Sequence, residues 1–137
     1  DRLFGGADGD WMQGDSGADT LAMGKDDQAF GGSGADWFLF LNATLGSGDQ
    51  VIRDFNGVSL GSGAGDDKIV FATGLETGSF SYIGDAGFSA DGNSEARFAG
   101  AGALQIDQDG DGSSDISVFV DGVSLANQLT ASDFLWL

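Results

Sequence analysis

The residues best suited to chemistry in this sequence are aspartates that recur at a nearly constant interval. Asp1, Asp10, Asp19, Asp27 and Asp36 are separated by nine, nine, eight and nine positions. Glycine-rich turns precede them, and glycine tolerates positive φ, so such a turn can aim its carbonyl oxygens inward. Carboxylate and carbonyl oxygens suit calcium better than zinc or copper. The pattern therefore predicts oxygen-ligated calcium.

An apolar residue stands two positions after each of these aspartates. The five are Leu3, Met12, Leu21, Ala29 and Phe38. Each triplet predicts a short strand whose central side chain enters the core, so that successive turns fall on alternate sides. Ions are then expected between turns on the same side, at Asp1/Asp19, Asp19/Asp36 and Asp10/Asp27.

The candidate ligands are these aspartates and the turn residues around them. They are Asp1, Gly5, Gly6, Ala7, Asp8, Asp10, Gly14, Asp15, Ser16, Gly17, Asp19, Gly24, Asp27, Gly31, Gly32, Ser33, Gly34 and Asp36. About two to three calcium ions are expected in this part of the chain. The alternative is a flexible, glycine-rich tail with solvated acids, and consecutive in-phase repeats argue against it. The unit over residues 23–30 is one residue short, so Asp10/Asp27 is where an ion should be missing or distorted.

A second acidic segment lies at residues 107–115. Asp107, Asp109, Asp111 and Asp115 take positions one, three, five and nine of an EF-hand calcium loop. Position twelve would be Val118 rather than the bidentate glutamate, and the flanking segments are typical of strands. Two interpretations stay open: one further calcium ion, or an aspartate–glycine turn that only caps a hairpin.

Composition narrows the class of function. The net charge is −17, from 22 acidic and 5 basic residues, which disfavours nucleic acid and anionic membranes as partners. No apolar run is long enough for membrane insertion. Because five basic side chains cannot compensate the acids, bound metal ions are the expected compensation.

Catalysis is not expected. The chain has no histidine and no cysteine, so the usual general base and zinc ligands are missing. The GDSG segment at 14–17 belongs to the repeat, and the GSGAG segment at 61–65 lacks the lysine of a phosphate-binding loop. The acids at 65–67 and Glu95 could be imagined as a glycosidase pair, but no feature places them together.

The elements that must position these residues are all strands and turns. Strands are predicted from short apolar or alternating runs at 51–55, 68–72, 79–83, 95–99, 103–107, 115–120 and 133–137. Residues 41–50 read as a connection, and 124–132 as one or two helical turns. The prediction is an all-β chain with two domains, 1–40 and 41–137. Asp1 falls inside a repeat, which favours a piece of a longer protein or a processed product.

The first forty residues match the calcium-binding nonapeptide G-G-x-G-x-D-x-U-x, where U is a large aliphatic residue. With them, the chain resembles the C-terminal region of RTX exoproteins, most closely that of serralysin-type metalloproteases. The other segments that carry the likeness are 34–40, 48–57, 65–71, 103–122 and 129–137. Several secreted families, including bacterial lipases and alginate epimerases, share these later segments.

The resemblance implies a parallel β-roll of nonapeptide repeats followed by a small antiparallel β lobe. It also implies secretion from bacteria by a type I ABC transporter, with an uncleaved signal at the C-terminus. The segment SDFLWL, residues 132–137, is similar to that signal, and it also reads as an ordinary edge strand.

Two functions follow as hypotheses. The first is a non-catalytic module for calcium-dependent folding and type I secretion. The second is a carbohydrate- or surface-binding module attached to an extracellular enzyme or adhesin. Four aromatic residues could stack on a polysaccharide or instead close the core: Trp11, Trp37, Phe38 and Phe40.

Overall fold

The computed structural model describes residues 1–41, 49–57 and 66–137. Within them the chain is all-β, as predicted, with two sheets and two short 3₁₀ helices, Ala126–Gln128 and Ala131–Asp133. The strands in chain order are β1 Arg2–Phe4, β2 Trp11–Gln13, β3 Thr20–Met23, β4 Gln28–Phe30, β5 Trp37–Phe40, β6 Gln50–Ile52, β7 Lys68–Phe71, β8 Phe80–Tyr82, β9 Ser94–Phe98, β10 Ala103–Asp107, β11 Ile116–Val120 and β12 Phe134–Trp136. Among these residues, no helix is long and apolar enough to cross a bilayer.

The strands that follow the repeated aspartates alternate between the two sheets. The first sheet has the order β1-β3-β5-β7-β12, and all its pairs are parallel. The second is mixed and has the order β2-β4-β6-β11-β10-β9-β8. It is parallel from β2 to β11, antiparallel through β10 to β9, and parallel again at β8.

The strands alternate between two sheets that share one core, and the apolar residue of each triplet points into that core. Leu21 is directly opposite Phe38 in the first sheet, and Met12 is opposite Ala29 in the second. All four are buried, and Leu3 is partly buried against the same core. Burying a large apolar side chain contributes roughly 1.5–3 kcal/mol. Met12, Leu21 and Phe38 therefore anchor their strands to the core, whereas the smaller Ala29 contributes less.

Both sheets continue past residue 40. In the first, β5 pairs with β7, and in the second, β6 pairs with both β4 and β11. The Arg53 guanidinium joins the same regions, since it donates to Gln28 Oε1 at 2.7 Å and to Asp121 Oδ2 at 2.7 Å. The division into domains 1–40 and 41–137 stays a prediction.

The C-terminal segment completes the first sheet. Strand β12 is parallel to β7, and the Trp136 ring stacks on Phe71 with centroids 4.4 Å apart. Phe134 is buried, and Asp133 is fully buried at the preceding turn. The Asp133 carboxylate accepts bonds from the Thr130 amide at 2.7 Å and from its hydroxyl at 3.0 Å.

Two of the segments interpreted from the sequence lie largely or wholly outside the residues that the structure describes. Most of the predicted connection 41–50 and all of the GSGAG segment 61–65 lie outside the described residues. The predicted strands overlap observed ones, and the segment 124–132 contains the 3₁₀ helix Ala126–Gln128 and the first two residues of the 3₁₀ helix Ala131–Asp133.

Candidate metal centre

Turns on the same side of the molecule pack backbone against backbone. In the turn pair 14–19 and 31–36, the Gly17 amide donates to the Ser33 carbonyl at 2.8 Å, and the Ser33 amide donates to the Asp15 carbonyl at 2.9 Å. Gly34 has φ +144°, and a methyl group there would lie 1.8 Å from the Gly17 carbonyl oxygen. Glycine at this position is therefore a requirement of the close approach.

The repeated aspartates form a ladder in which each carboxylate accepts the backbone amide of the preceding aspartate on its side. Asp36 Oδ1 accepts from the Asp19 amide at 2.9 Å, and Asp27 Oδ1 accepts from the Asp10 amide at 2.8 Å. The amino nitrogen of Asp1 contacts Asp19 Oδ1 in the same manner. All three predicted aspartate pairs are therefore in direct contact.

In two carboxylates of the ladder, the second oxygen accepts no hydrogen bond from the described residues. Asp19 and Asp36 are 2% and 0% exposed, and within the described residues the Oδ2 atom of each is buried without a hydrogen-bond donor. A methyl group built at Gly14 would lie 2.7 Å from Asp19 Oδ2 and 2.6 Å from the Gly31 carbonyl oxygen. A carboxylate oxygen and a carbonyl oxygen thus border the same small space.

This arrangement fits a hard cation. A buried carboxylate oxygen without a donor is costly, and burial accordingly raises the pKa of the Asp36 carboxyl above its ordinary value. Carboxylate and carbonyl oxygens are the ligands that calcium takes in proteins. Asp19, Asp36 and the neighbouring turn carbonyls are therefore the residues that would hold calcium.

The carboxylate of Asp27 differs, because both of its oxygens are occupied. Oδ1 accepts from Asp10, and Oδ2 accepts from the Gly24 amide at 2.6 Å. Asp27 is fully buried, and Asp26, just before it, is left-handed with φ +64°. A methyl group at Gly5 would lie 1.9 Å from Asp27 Oδ2, so Gly5 packs directly on this carboxylate. Each oxygen of Asp27 therefore already accepts one protein hydrogen bond, unlike Oδ2 of Asp19 and Asp36.

The other predicted turn residues occupy the outer parts of the turns. Those whose side chains or backbone are exposed are Gly6, Ala7, Asp8, Asp10, Asp15, Ser16, Gly17, Gly32 and Ser33. Asp15 is left-handed with φ +70°, and its carboxylate accepts from Gln13 Nε2 at 2.6 Å. Its side chain therefore bonds to its own strand, and its carbonyl meets the neighbouring turn.

Sequence reasoning missed two carboxylates that extend the ladder. Asp67 Oδ1 accepts from the Asp36 amide at 2.9 Å and Oδ2 from the Asn56 amide at 2.8 Å, while burial raises the pKa of Asp67 to about 6. Asp54 accepts from the amides of Gly31 and Gly32, each at 2.9 Å. The segment Asp67–Ile69 repeats the aspartate–x–apolar pattern, but it is off the nine-residue interval.

The loop at 107–115 contains a carboxylate cluster of its own. Ligand oxygens of Asp107, Asp109 and Asp115 lie within 4.8 Å of one another, so the cluster could hold a metal ion. Asp107 is fully buried and accepts from the amides of Gly110 and Gly112, each at 2.7 Å.

The remaining loop carboxylates bond locally. Asp115 Oδ2 accepts from the Gln108 amide at 2.7 Å, and Asp111 Oδ1 accepts from the Ser113 amide at 2.7 Å. Asp111, which the EF-hand spacing counted as a ligand, is outside the cluster of three. The cluster could hold a metal ion, and its local hydrogen bonds also cap the hairpin.

The four aromatic candidates divide into two pairs. Phe38 and Phe40 are fully buried, so they close the core and do not offer a surface for sugar. Trp11 and Trp37 are 64% and 38% exposed. Glu95, considered above as half of a glycosidase pair, is buried and accepts from the Ser89 amide at 2.7 Å.

No protein-family model and no curated protein sequence matches this chain. The likeness of its repeats to RTX proteins therefore stays a resemblance carried by the quoted residues. The chemistry of the aspartate ladder is the observation that bears most directly on function.

Proposed function

We propose that this chain is a non-catalytic module for calcium-dependent folding and type I secretion within a larger exported bacterial protein. Residues 1–40 would be an RTX-type parallel β-roll and residues 41–137 an antiparallel lobe that ends in the export signal. The observation that carries the proposal is the pair of buried carboxylate oxygens, Asp19 Oδ2 and Asp36 Oδ2, that have no donor in the described chain.

The charge of the chain explains why folding would depend on calcium. At a net charge of −17, assembling the ladder brings acids together against strong repulsion, and the glycine-rich turns lose much conformational entropy. An ion bound only by the folded form supplies folding free energy. Extracellular calcium modules bind in the range of about 10⁻⁴–10⁻³ M, so folding would be favoured outside the cell.

The terminal segment supports the same order of events. In the folded chain Asp133 and Phe134 are buried, and β12 is paired with β7. A transporter that recognises this segment would therefore have to read it before the chain folds. Scarce calcium in the cytosol would keep the chain unfolded and competent for export.

Far-UV circular dichroism and denaturant unfolding in chelator and in millimolar calcium test the proposal. We expect an unfolded repeat region in chelator and a cooperative β-fold in calcium. The double variant Asp19→Asn/Asp36→Asn should need at least about tenfold more calcium, because each amide removes one anionic ligand. Asp8→Asn, which changes an exposed turn carboxylate, is the matched control. Identical spectra and unfolding midpoints in chelator and calcium would overturn the proposal.

A second candidate function is glycan binding, and the exposed aromatics favour it. A groove of about 220 Å³ on the outer face of the first sheet is lined by Arg2, Phe4, Thr20, Trp37, Leu39 and Leu137. An indole face stacks on a sugar ring, and the guanidinium and hydroxyl groups bond its hydroxyls. Binding on a glycan array at saturating calcium, lost in Trp37→Ala and kept in Trp11→Ala, would support this function. If no glycan on the array binds the protein, this second function is rejected.

A further inference from the structure

We infer that the carboxylates on the two sides of the repeat stack, the strands and turns of residues 1–40, are compensated differently. The side that carries Asp19 and Asp36 takes calcium, whereas the side that carries Asp10 and Asp27 is closed by the protein's own hydrogen bonds and takes none. The first half of this contrast rests on the proposed function. The second half rests on the bonding of Asp27.

The hydrogen bonds of the carboxylates carry the inference. Asp27 and Asp36 are both fully buried, and each accepts one ladder amide at 2.8–2.9 Å. The remaining oxygen of Asp36 has no donor in the described chain, but that of Asp27 accepts the Gly24 amide at 2.6 Å. An ion at Asp27 would therefore have to share an oxygen whose negative charge is already partly compensated by a protein amide, whereas Asp36 offers an oxygen without any donor in the described chain.

The short repeat unit supplies the cause. Gly24 precedes Asp27 by three residues, so its amide reaches the carboxylate within a single turn. In the nine-residue units the glycine stands five residues before its aspartate, and its amide bonds elsewhere. The Gly14 amide donates to the Phe30 carbonyl at 2.9 Å, and the Gly31 amide donates to Asp54 at 2.9 Å. The preceding strand runs to Met23 and the turn after it is two residues shorter, so the Gly24 amide bonds the Asp27 carboxylate instead of a distant group.

The next position on the same side carries no negative charge. Strand β6 pairs with β4 so that Val51 is opposite Gln28, which places Gln50 next to Asp27 in the ladder. On the other side, the corresponding position after Asp36 is Asp67. Gln50 is fully buried and neutral, so the second side gains no further anionic ligand there.

Native mass spectrometry, with calcium-dependent unfolding, tests the inference on the whole chain and three variants. Asp36→Asn should bind fewer ions than the wild type and need at least about tenfold more calcium to fold. Asp27→Asn should keep the wild-type number of ions and lose stability toward denaturant at saturating calcium, because it removes a buried hydrogen-bond acceptor and not an ion ligand. Insertion of one glycine after Gly24, which restores the nine-residue unit, should add one ion.

The outcomes separate the inference from the proposed function. Loss of one ion in Asp27→Asn would overturn the inference and leave the proposed function standing, and so would an insertion variant that folds but gains no ion. A wild-type chain that folds and binds no calcium would overturn the proposed function. It would also overturn the inferred contrast between the two sides of the repeats. If Asp27→Asn does not fold, the ion count of the insertion variant decides alone.

Discussion

The repeat stack and the loop 107–115 use the same two residue types over very different separations in sequence. In the stack, Asp36 accepts the amide of Asp19, which is 17 residues away. In the loop, Asp107 accepts the amide of Gly110, which is three residues away. A local carboxylate can satisfy its turn as soon as the turn forms, whereas a ladder carboxylate needs its neighbour already in place. We therefore expect calcium dependence in the ladder of the repeats and not in the loop.

The most disruptive change to the stack should be Gly34→Ala. The new methyl group would meet the Gly17 carbonyl at 1.8 Å, and φ of +144° is unfavourable for alanine. We expect a loss of at least about 3 kcal/mol in the free energy of unfolding, measured by denaturant titration in calcium. Gly87→Ala, where no atom lies within 4 Å and φ is ordinary, should change it by less than about 0.5 kcal/mol. Equal effects would contradict the backbone-on-backbone packing of the turns.

The loop should respond to Asp107→Ala in a manner that calcium does not alter. Removing this buried carboxylate leaves the amides of Gly110 and Gly112 unpaired, which should cost about 2–3 kcal/mol. Asp111→Ala removes an exposed carboxylate with a single local bond and should cost less than about 1 kcal/mol. A loss for Asp107→Ala that appears only in calcium would show instead that the loop binds an ion.

The stack should gain stability on mild acidification when calcium is absent. The pKa of Asp67 is raised from 3.8 to about 6, mainly by burial, so its ionised form opposes folding. A raised folded pKa means that this contribution to stability is full below pH 3.8 and is lost as the pH rises through about 6. In chelator, with enough sucrose to fold the chain without calcium, going from pH 7 to pH 5 should therefore raise the free energy of unfolding by about 1 kcal/mol. Asp67→Asn should flatten this dependence, and an unchanged slope would contradict the assignment.

The smallest effect is expected where the stack joins the rest of the second sheet. Arg53→Ala removes bonds to Gln28 and Asp121 from a partly exposed side chain. Because exposed ion pairs are weak, we expect a loss of less than about 1 kcal/mol that shrinks further in high salt. Lys25→Ala, at an exposed contact with Asp26, is the control and should have no measurable effect. A loss of several kcal/mol would show that Arg53 is essential to joining these strands.

Much of the fold could be read from local patterns. The nine-residue interval predicted strands that alternate between sides, and Leu21 opposite Phe38 follows from it. The alternating segment 103–107 matches β10 exactly in its bounds. Such predictions succeed because a three- to five-residue strand is specified by its own apolar residues and the turns beside it.

Contacts between distant segments could not be read in this manner. Asp54 and Asp67 reach the turns of Gly31 and Asp36 from 22–31 residues along the chain, after connections that break the interval. The pairing of β12 with β7 joins residues more than sixty positions apart. No short pattern encodes such pairs, because they depend on how the two sheets close around one core.

The sequence alone determined that the chain is all-β, where the acids stand and on which side of the repeats each one lies. It could do so because glycine, aspartate and apolar residues each specify structure within a single turn or strand. The folded chain alone decided which carboxylate oxygens remain open. That depends on where amide donors from other turns point: Gly24 turns its amide toward Asp27, while Gly14 directs its amide to Phe30 and leaves Asp19 Oδ2 unpaired. A shorter turn thus changes the hydrogen bonding of a carboxylate that still precedes an apolar residue by two positions.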